Sequence, residues 1–431
     1  MNQPYKKLTI FSWSLYDFAN QPFTTLIVTF IYGTYFTQVI AENEIIGTAL
    51  WSRAITITGL LVAILSPIMG AMADRGGFRK LFLILWTWVT IFGSLMLYKV
   101  LPGNVIPALF WFILANVGFE MGGVFCNAYL PDIAPPEKIG RISGYGWSFG
   151  YVGGLLALGI SYMLLIHPET PWFGFTKELG QNIRATSLLV AIWFAVFSLP
   201  TFIWVRENSN IVRQRKKLFS QSIKQMGNTF REIKRYKNLV TFLIARLIYN
   251  DGLITIFAFG GIFAAGTFHF TMNEIFIFGI VLNITAGLGA FAMGFLDDIV
   301  GAKKTIQISL IGLIIAVALA ILTSSKAVFW VAGILIGIFS GPNQASSRSL
   351  MARFVPKEKE NEFFGFFAFS GKATAFMGPF LLGVFTNIFD SQRAGIAVVL
   401  FFLILGSFLL IKVDEKKGME SAKNNGLPKL E

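Results

Sequence analysis

Cysteine, histidine and charge are all scarce in this chain of 431 residues. It holds one cysteine, Cys126, and two histidines, His167 and His269. A lone cysteine excludes an intrachain disulfide and a thiolate metal cluster. The histidines have no second ligand at metal spacing and read as loop residues, so no metal is expected. No Ser-His or Cys-His pair stands at usable spacing, and the chain is not expected to be an enzyme. No GxxxxGK[ST] loop is present, so ATP is not its energy source, and no cofactor is expected. No short apolar core followed by a small-residue cleavage site opens the sequence, so no cleavable signal peptide is expected. Charged residues make up only 14%, against about 25% in soluble domains.

Apolar residues fill the space that charge leaves: 55% of the chain, with a mean hydropathy of +0.64. Runs long enough to cross roughly 30 Å of hydrocarbon recur at about 9–37, 49–73, 81–99, 105–130, 142–166, 184–205, 238–265, 272–296, 305–323, 327–352, 363–388 and 393–412. Backbone groups in lipid must be satisfied within the segment, so each run is expected to be a helix. The short alternating segments of a β-barrel are missing. The expected fold is an all-α membrane protein of twelve transmembrane helices. The net charge of +13 is unevenly placed. Of 36 Lys and Arg, 27 lie in the N-terminus, the C-terminal tail and the loops after spans 2, 4, 6, 8 and 10. By the positive-inside rule both termini are cytoplasmic, and a nucleic-acid partner is not expected.

The loop after span 2, GAMADRGGFRK (70–80), repeats after span 8 as GFLDDIVGAKK (294–304), 224 residues later. PPEKIGRISG (135–144) repeats as PKEKENEFFG (356–365), 221 residues later. Two loops repeating at nearly one offset indicate a duplicated six-helix unit, the parallel plan of major facilitator transporters. The expected organisation is a bundle over 1–205, a basic cytoplasmic linker over 206–237, a second bundle over 238–412 and a tail over 413–431. In the linker, Phe219, Ile223, Met226, Phe230 and Ile233 at helical spacing predict an amphipathic helix on the inner leaflet. The charged tail is expected to be disordered. In the repeated loop the glycines permit a tight turn, and its charges can pair with helix ends and hold one gating state. Asp74, Arg75, Arg79, Asp298 and Lys303 are the gating candidates there.

Seven ionisable residues fall inside spans: Asp17, Arg53, Glu120, Arg246, Asp251, Arg348 and Lys372. Each costs about 2.5–3.5 kcal/mol near a span centre on insertion scales, which marks them as functional candidates. Arg53 lies at an outer mouth and can snorkel. Five of the others lie on spans 1, 4, 7 and 10, which line the cavity in the duplicated plan, and Lys372 is on span 11. On span 4, Asn116, Glu120, Gly123 and Asn127 share one helix face; on span 1, Tyr16 and Asn20 do, with Asp17 beside them and Pro22 as a kink. Gln344 and Arg348 are one turn apart on span 10. Three acids against three bases suit a zwitterionic substrate, while structural pairing between helices is the plainer reading of any single charge.

WSLYDFANQPF (13–23), LPDIA (130–134), YNDG (249–252), GPNQASSRSLMARFVP (341–356) and GKATAFMGP (371–379) together resemble the autophagy-related vacuolar amino-acid effluxer family, a branch of the major facilitator superfamily with many bacterial members. The family pattern has Trp where Phe18 stands and a small Ser-x pair at Gln21-Pro22. The resemblance implies a transporter of six-plus-six fold and amino-acid efflux, and it carries weight to Tyr16, Asp17, Asn20, Tyr249, Asn250, Asp251, Arg348 and Lys372. With Asn116 and Glu120 these form the expected substrate site. Asp17, Glu120 and Asp251 are the proton-coupling candidates, because burial raises a carboxyl pKa. Arg246, about 7–8 Å closer to the cytoplasm than Asp251 and pointing elsewhere, is assigned to the gate or to a pair across helices. The expected protein is a monomeric, multi-pass transporter of a bacterial inner membrane, with a small-molecule substrate and membrane lipids as partners. A lipid or hydrophobic-drug translocator, suggested by 45 phenylalanines, and a non-transporting sensor or scaffold are the alternatives.

Overall fold

The computed structural model describes residues 6–207, 218–231 and 236–425. Twelve helices in it are long and apolar enough to cross a membrane. They are α1 (Lys7–Ile40), α2 (Glu44–Gly76), α3 (Arg79–Lys99), α4 (Val105–Ile133), α5 (Pro136–Ile166), α6 (Glu178–Trp204), α7 (Lys237–Phe268), α8 (Asn273–Val300), α9 (Ala302–Leu322), α10 (Lys326–Phe354), α11 (Glu360–Phe389) and α12 (Gln392–Ile411). The first six and the last six form two halves. Across the divide, α2 packs along α11, and α5 packs along α8 and α10. The basic loops all lie at one end, called the basic end below.

Among the departures from regular helix, one in α1 and one in α11 bear on the site. Pro22 was expected to kink α1; the α-helix ends there and a π-helical stretch follows over Phe23–Phe30. Pro22 has no N–H to give the Phe18 carbonyl one turn back. The indole Nε1 of Trp193 on α6 donates to that carbonyl instead, at 3.1 Å. The Phe18 ring stacks on Trp193 at 5.1 Å. Phe18 is therefore turned toward α6.

The second departure is a break in α11, which the sequence reads as one continuous run. It is helical over Glu360–Lys372 and again over Met377–Phe389, with turns between. Irregular backbone survives at membrane depth only where protein groups or a cavity satisfy it. Here α7 supplies those groups, as described below.

The glycines of the repeated loop do what the motif requires. Gly77 closes α2 at φ 63° and Gly301 separates α8 from α9 at φ 96°, values that residues with a Cβ rarely adopt.

The linker helix, Leu218–Arg231, rests against α2. Arg75 Nη1 donates to the Gln221 carbonyl at 3.0 Å, and Gln225 Nε2 donates to Glu362 at 2.7 Å, so this helix touches both halves. Among its expected apolar positions Ile223 is exposed. The side chains of Phe219, Met226 and Phe230, and all of Ile233, lie outside the described residues.

The tail, expected to be disordered, is helical over Glu415–Asn425. Glu415 accepts from the backbone N–H groups of Ala302 and Lys303 at 3.0 and 3.1 Å, capping the start of α9.

Candidate functional site

Two ion pairs join the halves inside the membrane. Arg348 Nη1 on α10 meets Asp17 Oδ2 on α1 at 2.7 Å, and Lys372 Nζ on α11 meets Glu120 Oε1 on α4 at 2.6 Å. In each, the first half supplies the acid and the second half the base. The pairs differ in setting. The Arg348 side chain is 4% exposed and Asp17 17%, whereas Lys372 and Glu120 are 32% and 21% exposed.

The first pair is enclosed. Arg348 Nε donates to Ser143 Oγ at 2.9 Å, Nη2 to the Ser143 carbonyl at 2.7 Å, and Nη1 also to Asn127 Oδ1 at 3.0 Å. The guanidinium lies 4.8 Å from the Trp13 ring. Gly146 on α5 makes room for it, since a Cβ there would lie 2.5 Å from Asp17 Oδ2 and 2.6 Å from Arg348 Nη2. A buried charge pair survives only when its remaining donors and acceptors are also satisfied, and Ser143 and Asn127 satisfy them. Ser143, Gly146 and Trp13 were not among the sequence candidates. The signal was available in part: Ser143 and Gly144 sit in the second repeated segment.

The second pair faces unfilled space. The α4 stripe of Asn116, Glu120, Gly123 and Asn127 links the two pairs, because Glu120 belongs to one and Asn127 to the other. Between them, a Cβ built on Gly123 would meet no atom within 4 Å. The spacing that predicted a shared face is observed, and the middle of that face is open.

The remaining candidates are placed less centrally. The Tyr16 hydroxyl bonds Thr87 on α3 at 2.8 Å, and the Tyr249 hydroxyl bonds Ser347 on α10 at 2.7 Å. Both rings are fully buried and fasten helices within their own half. Asn20, Asn116 and Asp251 are buried too. Asp251 has no salt bridge among the described residues. Asn250 accepts from Gln344 on α10 at 3.0 Å and donates to the Gly371 carbonyl on α11 at 3.1 Å.

The gating candidates divide sharply. Asp74 accepts from the N–H groups of Asn361 and Glu362 at 3.0 and 2.8 Å and from the Asn361 amide at 2.6 Å. Asp298 accepts from the N–H groups of Gly140 and Arg141 at 2.8 and 3.3 Å and from Arg141 Nε at 2.5 Å. Arg79 meets Asp132 at 2.5 Å and, across the halves, Glu360 at 3.1 Å. Arg353 meets Asp297 at 2.8 Å and Glu415 at 3.2 Å. Arg75 goes to the linker helix, and Lys303 stays within its own half, its Nζ donating to the Ile411 carbonyl at 2.9 Å. Of the two roles expected for Arg246, gate or pairing across helices, its contacts are of the second kind. It bonds α11 inside its own half, where Nη1 donates to the Phe367 carbonyl at 2.7 Å.

These contacts seal the basic end. Toward the other end, among the described residues, no hydrogen bond or ion pair joins the halves beyond Glu120–Lys372 and the 2.8 Å bond from Ser148 to the Gly287 carbonyl. Two six-helix halves that meet around paired charges at membrane depth and bond each other at one end are the arrangement of a major facilitator transporter.

The comparisons agree with this class. The fold matches the proton:xylose symporter XylE bound to 6-bromo-6-deoxy-D-glucose, with a TM-score of 0.76 over 98% of this chain and 99% of that one, at 12% identity. Residues 47–423 match the family described as "Vacuole effluxer Atg22 like", and the chain belongs to that family. It is 26% identical over 427 residues to the uncharacterized MFS-type transporter YxiO of Bacillus subtilis (strain 168), covering 97% of both chains. It is 20% identical to autophagy-related protein 22 of Yarrowia lipolytica (strain CLIB 122 / E 150), covering 85% of this chain and 76% of the relative. The chain is thus a multi-pass membrane protein of a transporter family.

Proposed function

We propose that this protein moves a small zwitterionic solute, an amino acid or a close analogue, across a bacterial inner membrane by rocking its two halves about the mid-membrane site. The basic end faces the cytoplasm on this reading, as the positive-inside rule requires. The observation that carries it is the Glu120–Lys372 pair, which bridges the halves and borders open space at Gly123. An amino acid brings one ammonium and one carboxylate. Its ammonium can take Glu120 and its carboxylate Lys372, so that the solute replaces the pair charge for charge. The half-exposed setting makes this exchange cheap, because neither ion has to be stripped of all its water. The family's description as vacuole effluxers supports transport of a solute, and the amino-acid efflux that the resemblance implies supports this substrate class.

Coupling to protons is part of the proposal. Asp17, Glu120 and Asp251 are carboxylates at membrane depth, and the first two can accept a proton when Arg348 and Lys372 move away. Asp251, buried and without a salt bridge among the described residues, is the simplest carrier. The test is uptake of a panel of radiolabelled amino acids by proteoliposomes with and without an imposed proton gradient. Saturable flux of at least one amino acid, accelerated by the gradient, is expected. Binding of lysolipids with no amino-acid flux would transfer the assignment to lipid translocation, and flux indifferent to the gradient would remove proton coupling.

A further inference from the structure

At the break in α11 the chain itself meets some of the first segment's last carbonyls, Ala373 donating to Phe369 and Ala375 to Lys372. Two side chains one turn apart on α7 bond the same end: Asn250 reaches the Gly371 carbonyl, and Arg246 reaches back one turn to the Phe367 carbonyl, which Ser370 Oγ also bonds. Arg246 Nη1 donates to the Phe367 carbonyl at 2.7 Å and to Ser370 Oγ at 2.8 Å, with its guanidinium 3.6 Å from the centre of the Phe367 ring. Asn250 Nδ2 donates to the Gly371 carbonyl at 3.1 Å, and its own oxygen is held by Gln344 on α10. The fit is close: a Cβ on Gly371 would stand 2.8 Å from Arg246 Nη1. The residue after Gly371 is Lys372.

Arg246 has no salt bridge among the described residues. Asp17 and Glu120 are engaged by Arg348 and Lys372. A guanidinium buried without a carboxylate must be balanced by other negative potential. A helix C-terminus carries about half a negative charge, and Arg246 is aimed at the last turns of the first α11 segment, at the Phe367 carbonyl and Ser370 Oγ. We infer that Arg246, seconded by Asn250, is the positioning residue of the mid-membrane site. It fastens the end of the first α11 segment to α7 and so sets where the Lys372 ammonium stands relative to Glu120. A movement of α7 is then passed to the ion pair through the α11 break. The consequence for solute affinity rests on the function proposed above, whereas the positioning itself does not.

The test reads position without any solute. In a Cys126→Ser background, Lys372→Cys is labelled with the neutral reagent N-ethylmaleimide, alone and combined with Arg246→Gln, Arg246→Lys or Asn250→Ala. A control series carries the cysteine at Gly123, across the same space. The expected result is a change of at least fivefold in labelling rate at 372 with Arg246→Gln, a smaller change in the same direction with Asn250→Ala, and a return to within twofold with Arg246→Lys. The rate at 123 should stay within twofold throughout. An unchanged rate at 372 in both Arg246→Gln and Asn250→Ala overturns the inference. So does an equal change at 372 and 123, which would mark general loosening of the bundle. If Arg246→Gln does not fold, Asn250→Ala decides alone. Absence of amino-acid flux with the labelling pattern intact would remove the proposed substrate and leave the positioning role standing.

Discussion

Asp74 and Asp298 hold equivalent places in the two halves, and each grips the first turn of a helix in the other half. Asp74 holds α11 through Asn361 and Glu362, and Asp298 holds α5 through Gly140 and Arg141. The gripped residues are themselves equivalent, 221 positions apart within the second repeated segment. Each carboxylate meets free N–H groups at the positive end of a helix, where a negative charge is stabilised. The seal at the basic end is thus made twice, by one device and its duplicate.

That duplication predicts a graded release. Asp74→Asn or Asp298→Asn should each weaken the seal by about 1 kcal/mol, as for the loss of a helix cap. Each shifts the ratio of access states roughly fivefold toward opening at the basic end. Spin-label distances across α2–α11 and α5–α8 measure the shift. A double substitution giving no more shift than either single one would show that the two seals are not independent.

Asp17→Asn leaves Arg348 buried and unpaired, which costs about 3–5 kcal/mol. The thermal midpoint in detergent should fall markedly, and Asp17→Asn with Arg348→Gln should recover much of the loss. Gly146→Ala should lower the midpoint as well, because the added methyl occupies the place of the pair. A tolerated Gly146→Ala would mean that α5 can retreat from α1.

Glu120→Gln and Lys372→Met should behave in the opposite way. A partly exposed pair contributes only about 0–1 kcal/mol to stability, so the thermal midpoint should barely move. Amino-acid flux should drop at least tenfold in each. Loss of stability without loss of flux would reassign this pair to structure and Asp17–Arg348 to function.

Glu415→Ala removes the cap on α9 and one of the carboxylate partners of Arg353, which keeps Asp297. Stability should decline by about 1 kcal/mol, read as a lower unfolding midpoint, and removal of the chain after Lys412 should match it. No effect from either change would leave the tail helix without an energetic role.

The sequence alone determined the membrane class, the twelve spans and the duplicated plan, because hydropathy and repeated loop motifs are local properties that survive without knowledge of packing. It also placed the charges that matter: a stripe such as Asn116, Glu120, Gly123 and Asn127 follows from helical geometry alone. Partnership was decided by tertiary structure. Asp17 and Arg348 lie 331 residues apart and Glu120 and Lys372 lie 252 apart, and no periodicity encodes which acid meets which base. Nor could it foresee that Tyr16 and Tyr249 bond within their own halves, or that Glu415 of the tail caps α9 while the tail helix packs on α10 and α7. The α11 break was hidden for the same reason. An apolar run reads as one helix until a neighbour supplies donors for its carbonyls, and Arg246 and Asn250 do so from another helix, more than 100 residues away in the chain.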